Sequence, residues 1–175
     1  MHSKQIKGLP VVAADDGSSL GAVERAYLDP VARRVIGFAI GTGAHLFGRE
    51  SSRIVDTGEV AAFGPDALTL PDATGAKGAE TIARYGDLID LDDLNGRPVY
   101  TEGGTLVGGV GGATIDDRTF ALNEFEAAPG LFKHSTPIAA DLLITIGPDV
   151  IVVRDAVSSP GPGSADSSPP VDGDV

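Results

Sequence analysis

The side chains whose types could ligate a cation are three histidines, His2, His45 and His134, and an acidic run, Asp87, Asp90, Asp92 and Asp93. Imidazole nitrogens suit zinc and carboxylate oxygens suit calcium. The histidines are too few and too scattered to make a metal site. The acidic run lacks the glycine and the bidentate glutamate of a calcium loop, so it reads as a solvated linker face. His134 beside Ser135 sets a base next to a hydroxyl, yet no nucleophile motif surrounds either residue. Gly108-Gly109-Val110-Gly111-Gly112 could approach a phosphate closely. It lacks the third glycine of the dinucleotide fingerprint, where Thr114 stands, and no helix signal follows. Glycines at strand corners or bulges are the expectation there. Cysteine is absent, which excludes thiolate ligands, thiol nucleophiles and disulfides. The chain is therefore expected to have no catalytic residue, no metal site and no cofactor.

Two apolar segments have more to offer a partner. Ala44-His45-Leu46-Phe47-Gly48-Arg49 and Gly130-Leu131-Phe132-Lys133-His134 each set two large apolar side chains beside a base. Packed under the end of a barrel they would be core plugs. Exposed, they would form an apolar anchor with a charged rim, as interfaces do. The candidate partner-binding residues are accordingly Leu46, Phe47, Arg49, Leu131, Phe132 and Lys133.

An internal repeat positions these segments. Gly8-Leu9-Pro10-Val11 answers Gly96-Arg97-Pro98-Val99, and Gly17 to Val23 answers Gly104 to Val110, eighty-seven residues on. Leu28-Asp29 matches Ile115-Asp116, Leu46-Phe47 matches Leu131-Phe132, and Gly64-Pro65-Asp66 matches Gly147-Pro148-Asp149. The offset drifts from 88 to 83, as loop insertions and deletions would make it. Each copy alternates apolar and polar residues between turn signals, which predicts five or six short strands and a small closed barrel. The first copy is read as strands at 10–13, 20–28, 35–40, 53–55, 60–63 and 67–70, with Ile36, Phe38 and Ile40 on one face. The second is read as strands at 99–101, 107–115, 119–125, 138–140, 142–146 and 150–154.

The series Gly-x-Pro-Val at Gly8 to Val11, Asp-Gly-x-x-Leu-Gly-x-Val at Asp16 to Val23, Gly37-Phe38, Leu46 to Arg53 and Gly64 to Leu70 resembles the PRC-barrel family, named for the cytoplasmic domain of the photosynthetic reaction centre H subunit. The second copy departs from it, with Gly103-Gly104 in place of Asp16-Gly17 and Lys133-His134 in place of Gly48-Arg49. The fold expected is all-β. It comprises a PRC-barrel repeat over 5–72, a linker over 73–91 with a short helix near 79–85, a PRC-barrel-like repeat over 92–156, and a disordered acidic Pro/Ser/Gly tail over 158–175. The two barrels are expected to pack about a pseudo-twofold axis. The resemblance implies a non-enzymatic protein-binding adaptor or assembly module and transfers no active site. The alternative is binding of a basic ribosomal protein, as a ribosome-assembly factor would.

Charge limits the partners. The net charge is −12, and residues 87–157 hold 4 basic and 12 acidic side chains, whereas residues 1–86 hold 9 and 10. An anionic second half repels phosphate backbones, which excludes direct nucleic-acid binding and favours a basic protein partner. A homodimer through equivalent faces is also expected. No run of 18 apolar residues occurs, so no membrane span is expected and a cytoplasmic location is the default reading.

Overall fold

Val, Ile and Leu at alternate positions, cut by Asp-Gly and Gly-Pro-Asp turns, fold into short strands in both halves of the chain. The computed structural model describes residues 1–41, 53–78, 86–128 and 135–156. In the first half these form β1 (Pro10–Ala13), β2 (Ser19–Asp29), β3 (Arg34–Gly41), β4 (Arg53–Asp56), β5 (Ala62–Phe63), β6 (Leu68–Leu70) and β7 (Ala76–Lys77). In the second they form β8 (Ile89–Asp90), β9 (Pro98–Thr101), β10 (Leu106–Ile115), β11 (Leu122–Ala128), β12 (Thr136–Ala139), β13 (Leu143–Ile146) and β14 (Ile151–Val153). Helical structure among the described residues is confined to single 3-10 turns of three or four residues. None of it is long and apolar enough to cross a membrane. The short helix expected near 79–85 and the tail over 158–175 lie outside the described residues.

The strand order repeats. The first sheet runs β5-β6-β1-β2-β3-β4-β7, and the second runs β12-β11-β10-β9-β14-β13, which is the same order read from the other edge. In both copies the first strand pairs parallel with the last, Val11 opposite Leu68 and Val99 opposite Ile151. All other pairings are antiparallel. The sheets are barrel-like, but neither is closed: among the described residues β5 does not pair with β7, nor β13 with β12. The closed barrel expected from the strand count is thus corrected. Edges are blunted instead by length and by proline, since β5 and β7 have two residues each and β12 carries the exposed Pro137.

The two copies share one continuous apolar core, from Ile6, Leu28 and Phe38 in the first to Ile115, Phe125 and Ile151 in the second. A bulge alters one expected face. Leu28 pairs with Val35 and Tyr27 with Gly37, so Ile36 is the extra residue in β3 and leaves the face that carries Phe38 and Ile40. Val35 takes its place in the core, while Ile36, Ala39 and Ile54 are buried outside that cluster. The second copy has the same bulge, with Ile115 opposite Leu122 and Thr114 opposite Glu124, but its extra residue is the exposed Asn123. The strand expected over 119–125 starts instead at Leu122, because residues through Phe120 are held in a turn.

Gly21 shows how tightly β2 and β3 meet. Its φ is 127°, and a Cβ there would lie 2.1 Å from the Gly41 carbonyl oxygen. Gly17 also has a positive φ, 72°, but its surroundings are open. Ala at Gly17 should therefore cost only the left-handed backbone penalty, about 1–2 kcal/mol. Ala at Gly21 must add a backbone collision and should cost roughly 3 kcal/mol or more. Urea unfolding of the two variants checks the order.

Candidate functional site

Equivalent turns from the two repeats meet at the centre of the molecule. Asp29 Oδ1 accepts from the backbone N–H of Val31 at 2.8 Å and of Ala32 at 2.9 Å, which closes the β2–β3 turn around Pro30. Asp116 does the same for the β10–β11 turn, accepting from Arg118 N at 3.0 Å and Thr119 N at 2.7 Å. The N–H of Thr119 above all, with its hydroxyl and the N–H of Arg118, holds the Asp116 carboxyl below its ordinary pKa. Each turn ends on a residue in the left-handed region that is not glycine: Arg33 at φ 54° and Phe120 at φ 59°. Such a backbone costs free energy and persists only where the surroundings hold it.

The two turns hold each other. Val35 N donates to Phe120 O at 2.9 Å, and Leu122 N donates to Arg33 O at 2.9 Å. Arg34 and Ala121 form the bridge between these bonds. Every residue in the second bond lies eighty-seven positions from its counterpart in the first. The contact is a self-complementary twofold one, of the kind seen in symmetric dimers, but made within one chain.

Beyond that shared backbone the side chains diverge. Phe120 enters the first repeat, its ring 5.5 Å from Phe63 and 6.1 Å from Phe38. Arg33, its counterpart, enters the second repeat, where Nη1 donates to Ala140 O at 3.0 Å and Nη2 to Ile144 O at 3.4 Å. Ala140 opens the 3-10 turn that links β12 to β13, and Ile144 lies in β13. The guanidinium thus ties the turn and the strand that follows it to the first repeat.

A second exchange reinforces the first. His2 bridges to Thr114, and Ile115 N donates to Met1 O at 2.8 Å, so the segment before the first repeat docks on β10 of the second. Reciprocally, β8, which precedes the second repeat, pairs with Tyr27 and Leu28 of β2 in the first. Each segment continues into a capped 3-10 turn: His2 Nδ1 accepts from Lys4 N, and Asp90 Oδ1 accepts from Asp92 N at 3.1 Å. Ile6, Leu91 and Leu94 of these turns are buried. Lys7 and Asp92 join the two segments by an ion pair at 3.1 Å.

This arrangement assigns most of the residues considered above. Asp90 and Asp92 are capping and pairing groups of a docked segment rather than a solvated linker face, and Asp90 also faces Arg25 at 3.7 Å. The glycine run lies in β10, where Gly112 has no room for a Cβ because the His2 ring would lie 2.5 Å from it. Packing of the His2 ring on the strand accounts for that glycine. Leu46, Phe47, Arg49, Leu131, Phe132 and Lys133 lie outside the described residues, as do His45 and His134.

Two equivalent grooves flank the central contact. One, of about 360 Å³, lies between Val60–Phe63 and the turn bearing Asp117, Arg118 and Phe120. The other, of about 640 Å³, lies between the turn bearing Pro30 and Val31 and the pair Ile146 and Pro148, with Leu88 and Ile89 along its side. The turn residues that line them correspond in the repeat, Pro30-Val31 in one groove and Asp117-Arg118 in the other. Divergence has given the larger groove an apolar turn tip and the smaller one a charged tip. Sequence reading missed both, although the Pro30-Val31 against Asp117-Arg118 contrast was visible once the repeats were aligned.

Burial raises the Asp90 pKa, with nearby Asp92 and Asp93 adding to the effect, while the bond from Asp92 N and the charge of Arg25 oppose it. A raised carboxyl pKa means that the native state binds the proton more tightly than the unfolded chain. The burial penalty is then absent below the ordinary value of 3.8 and grows as pH rises through the raised one. Asp90→Asn keeps a capping oxygen and should be at least as stable as the parent at pH 7. Its advantage should vanish on acidification below the ordinary carboxylate range, as read by urea titration at stepped pH.

The comparison with protein families agrees with this geometry. Residues 1–74 match the family described as PRC-barrel domain, consistent with a PRC-barrel family protein. No curated protein matches the chain.

Proposed function

From a chain whose residues 1–74 match the PRC-barrel domain, we propose a non-enzymatic module that binds another protein through the grooves between its two repeats. The observation that carries this reading is the unequal chemistry of the two equivalent grooves. The central contact between the turns is the same on both sides, so the frame does not require their tips to differ. Val31 is 90 % exposed at one tip, where the other tip carries the charged Arg118. An apolar side chain held into solvent beside an apolar groove gains free energy only when a partner covers it.

The interlocked repeats supply what such a module needs. Side chains that line each groove come from both copies, and the copies are tied by backbone hydrogen bonds and a common core. The groove walls are thereby preorganised, which lowers the ordering cost of binding. The acidic second half favours a partner with basic residues, since complementary charge speeds encounter and rejects anionic competitors.

The full chain immobilised as bait should retain one protein reproducibly and near stoichiometrically, and the complex should re-form from the purified components. Failure to recover any such partner from the host, under conditions that keep the bait folded, would remove this reading.

A further inference from the structure

We propose that the larger groove seats a short peptide segment of a partner protein in which aliphatic side chains are flanked by lysine or arginine. This rests on the binding-module reading above and adds to it the place and chemistry of contact. The floor is aliphatic, made by Ile146 and Pro148 of the second repeat with Leu88 and Ile89 beside them, and Pro30 and Val31 of the first repeat form the opposite wall. Among the described residues its apolar lining is aliphatic, which offers shape and apolar area for Leu, Ile or Val side chains.

The rim is acidic. Asp29 and Asp87 line the groove, and the exposed Asp149 directly follows Pro148. Among the described residues no Lys or Arg lines the groove, and the nearby Arg33 and Arg97 direct their guanidinium groups at carbonyl oxygens, Arg33 at those of Ala140 and Ile144 and Arg97 at those of Gly147 and Asp93. The charged side chains of the described lining are therefore carboxylates. A peptide with basic residues on either side of its aliphatic anchor meets that charge pattern, and an acidic peptide does not. The chain's own residues 158–175 carry three aspartates and no base, which makes them a poor match for an acid-rimmed groove.

The test uses the full chain and three capped, fluorophore-labelled pentapeptides. One has a central Ile-Val-Leu flanked by lysines, one has the same centre flanked by glutamates, and one has lysines around three alanines. Anisotropy at low salt should show saturable binding of the first only, weakening as salt is raised. Val31→Asp should weaken it roughly tenfold, and the double variant Asp87→Lys with Asp149→Lys should weaken it by a similar factor. Both changes are at exposed positions, so the urea midpoint should stay near that of the parent. Leu106→Asp, at another exposed apolar residue at the far end of β10, should leave binding unchanged.

Equal binding of the lysine and glutamate peptides, insensitivity to Val31→Asp, or no binding at all would overturn the proposal. So would binding that appears only after residues 158–175 are deleted, which would make the tail the occupant. A dimer in light scattering that Val31→Asp dissolves would also overturn it and assign the groove to a second copy. A partner protein captured equally by the parent and by Val31→Asp would refute the groove while leaving the module reading intact.

Discussion

The pair of backbone hydrogen bonds between Val35 and Phe120 and between Leu122 and Arg33 is the constraint on which the rest of the molecule depends. It sets two adjacent turns in register, with left-handed backbone at Arg33 and Phe120, whose carbonyls accept the two bonds. Strain at two positions is offset by burial of Phe120 against Phe38 and Phe63 and by the hydrogen bonds of Arg33 to carbonyls of the second repeat. With the turns locked, each reaches into the other repeat, Phe120 onto Phe38 and Phe63 and Arg33 onto the carbonyls of Ala140 and Ile144. The shared core and the paired grooves are arranged around that contact.

Two kinds of symmetry are superposed here. The backbone respects the repeat closely, down to the bulges that set Ile36 and Asn123 aside and the capping carboxylates of Asp29 and Asp116. The side chains do not. Arg33 answers Phe120, Pro30-Val31 answers Asp117-Arg118, and buried Ile36 answers exposed Asn123. Backbone bonds within the frame are indifferent to side-chain identity, so the frame tolerates change at its surface. That tolerance is how one architecture can present two different surfaces without losing its core.

Much of the frame was legible in the sequence because turn chemistry is local. Asp-Gly, Gly-Gly and Gly-Pro-Asp mark turns whatever surrounds them, and the order of such turns and of the Gly-x-Pro-Val segments revealed two copies with the same strand succession. Features that depend on distant partners were not legible. Nothing in Arg33 or Phe120 announces a left-handed backbone, since neither is glycine or asparagine. Alternation placed Ile36 beside Phe38 because a bulge adds a residue without changing composition. Asp90 looked solvated because its cover comes from β2, some sixty residues earlier. The Leu-Phe segments attracted attention by composition alone, whereas the grooves are built from residues too far apart in sequence to suggest one another.

The crossing of the leading segments also sets an order of events during synthesis. His2 is made long before Thr114, so its dock does not exist until much of the second repeat has been synthesised. The β2 strand likewise waits for β8 to cover Tyr27 and Leu28. The first repeat must therefore emerge with one segment unseated and one strand uncovered; β8 can cover the strand, and the segment is seated only when β10 appears. Contacts of such long sequence separation make the final step slow and cooperative. A nascent chain stalled before Ile115 would hold an unfinished surface at the very place where the two repeats later lock.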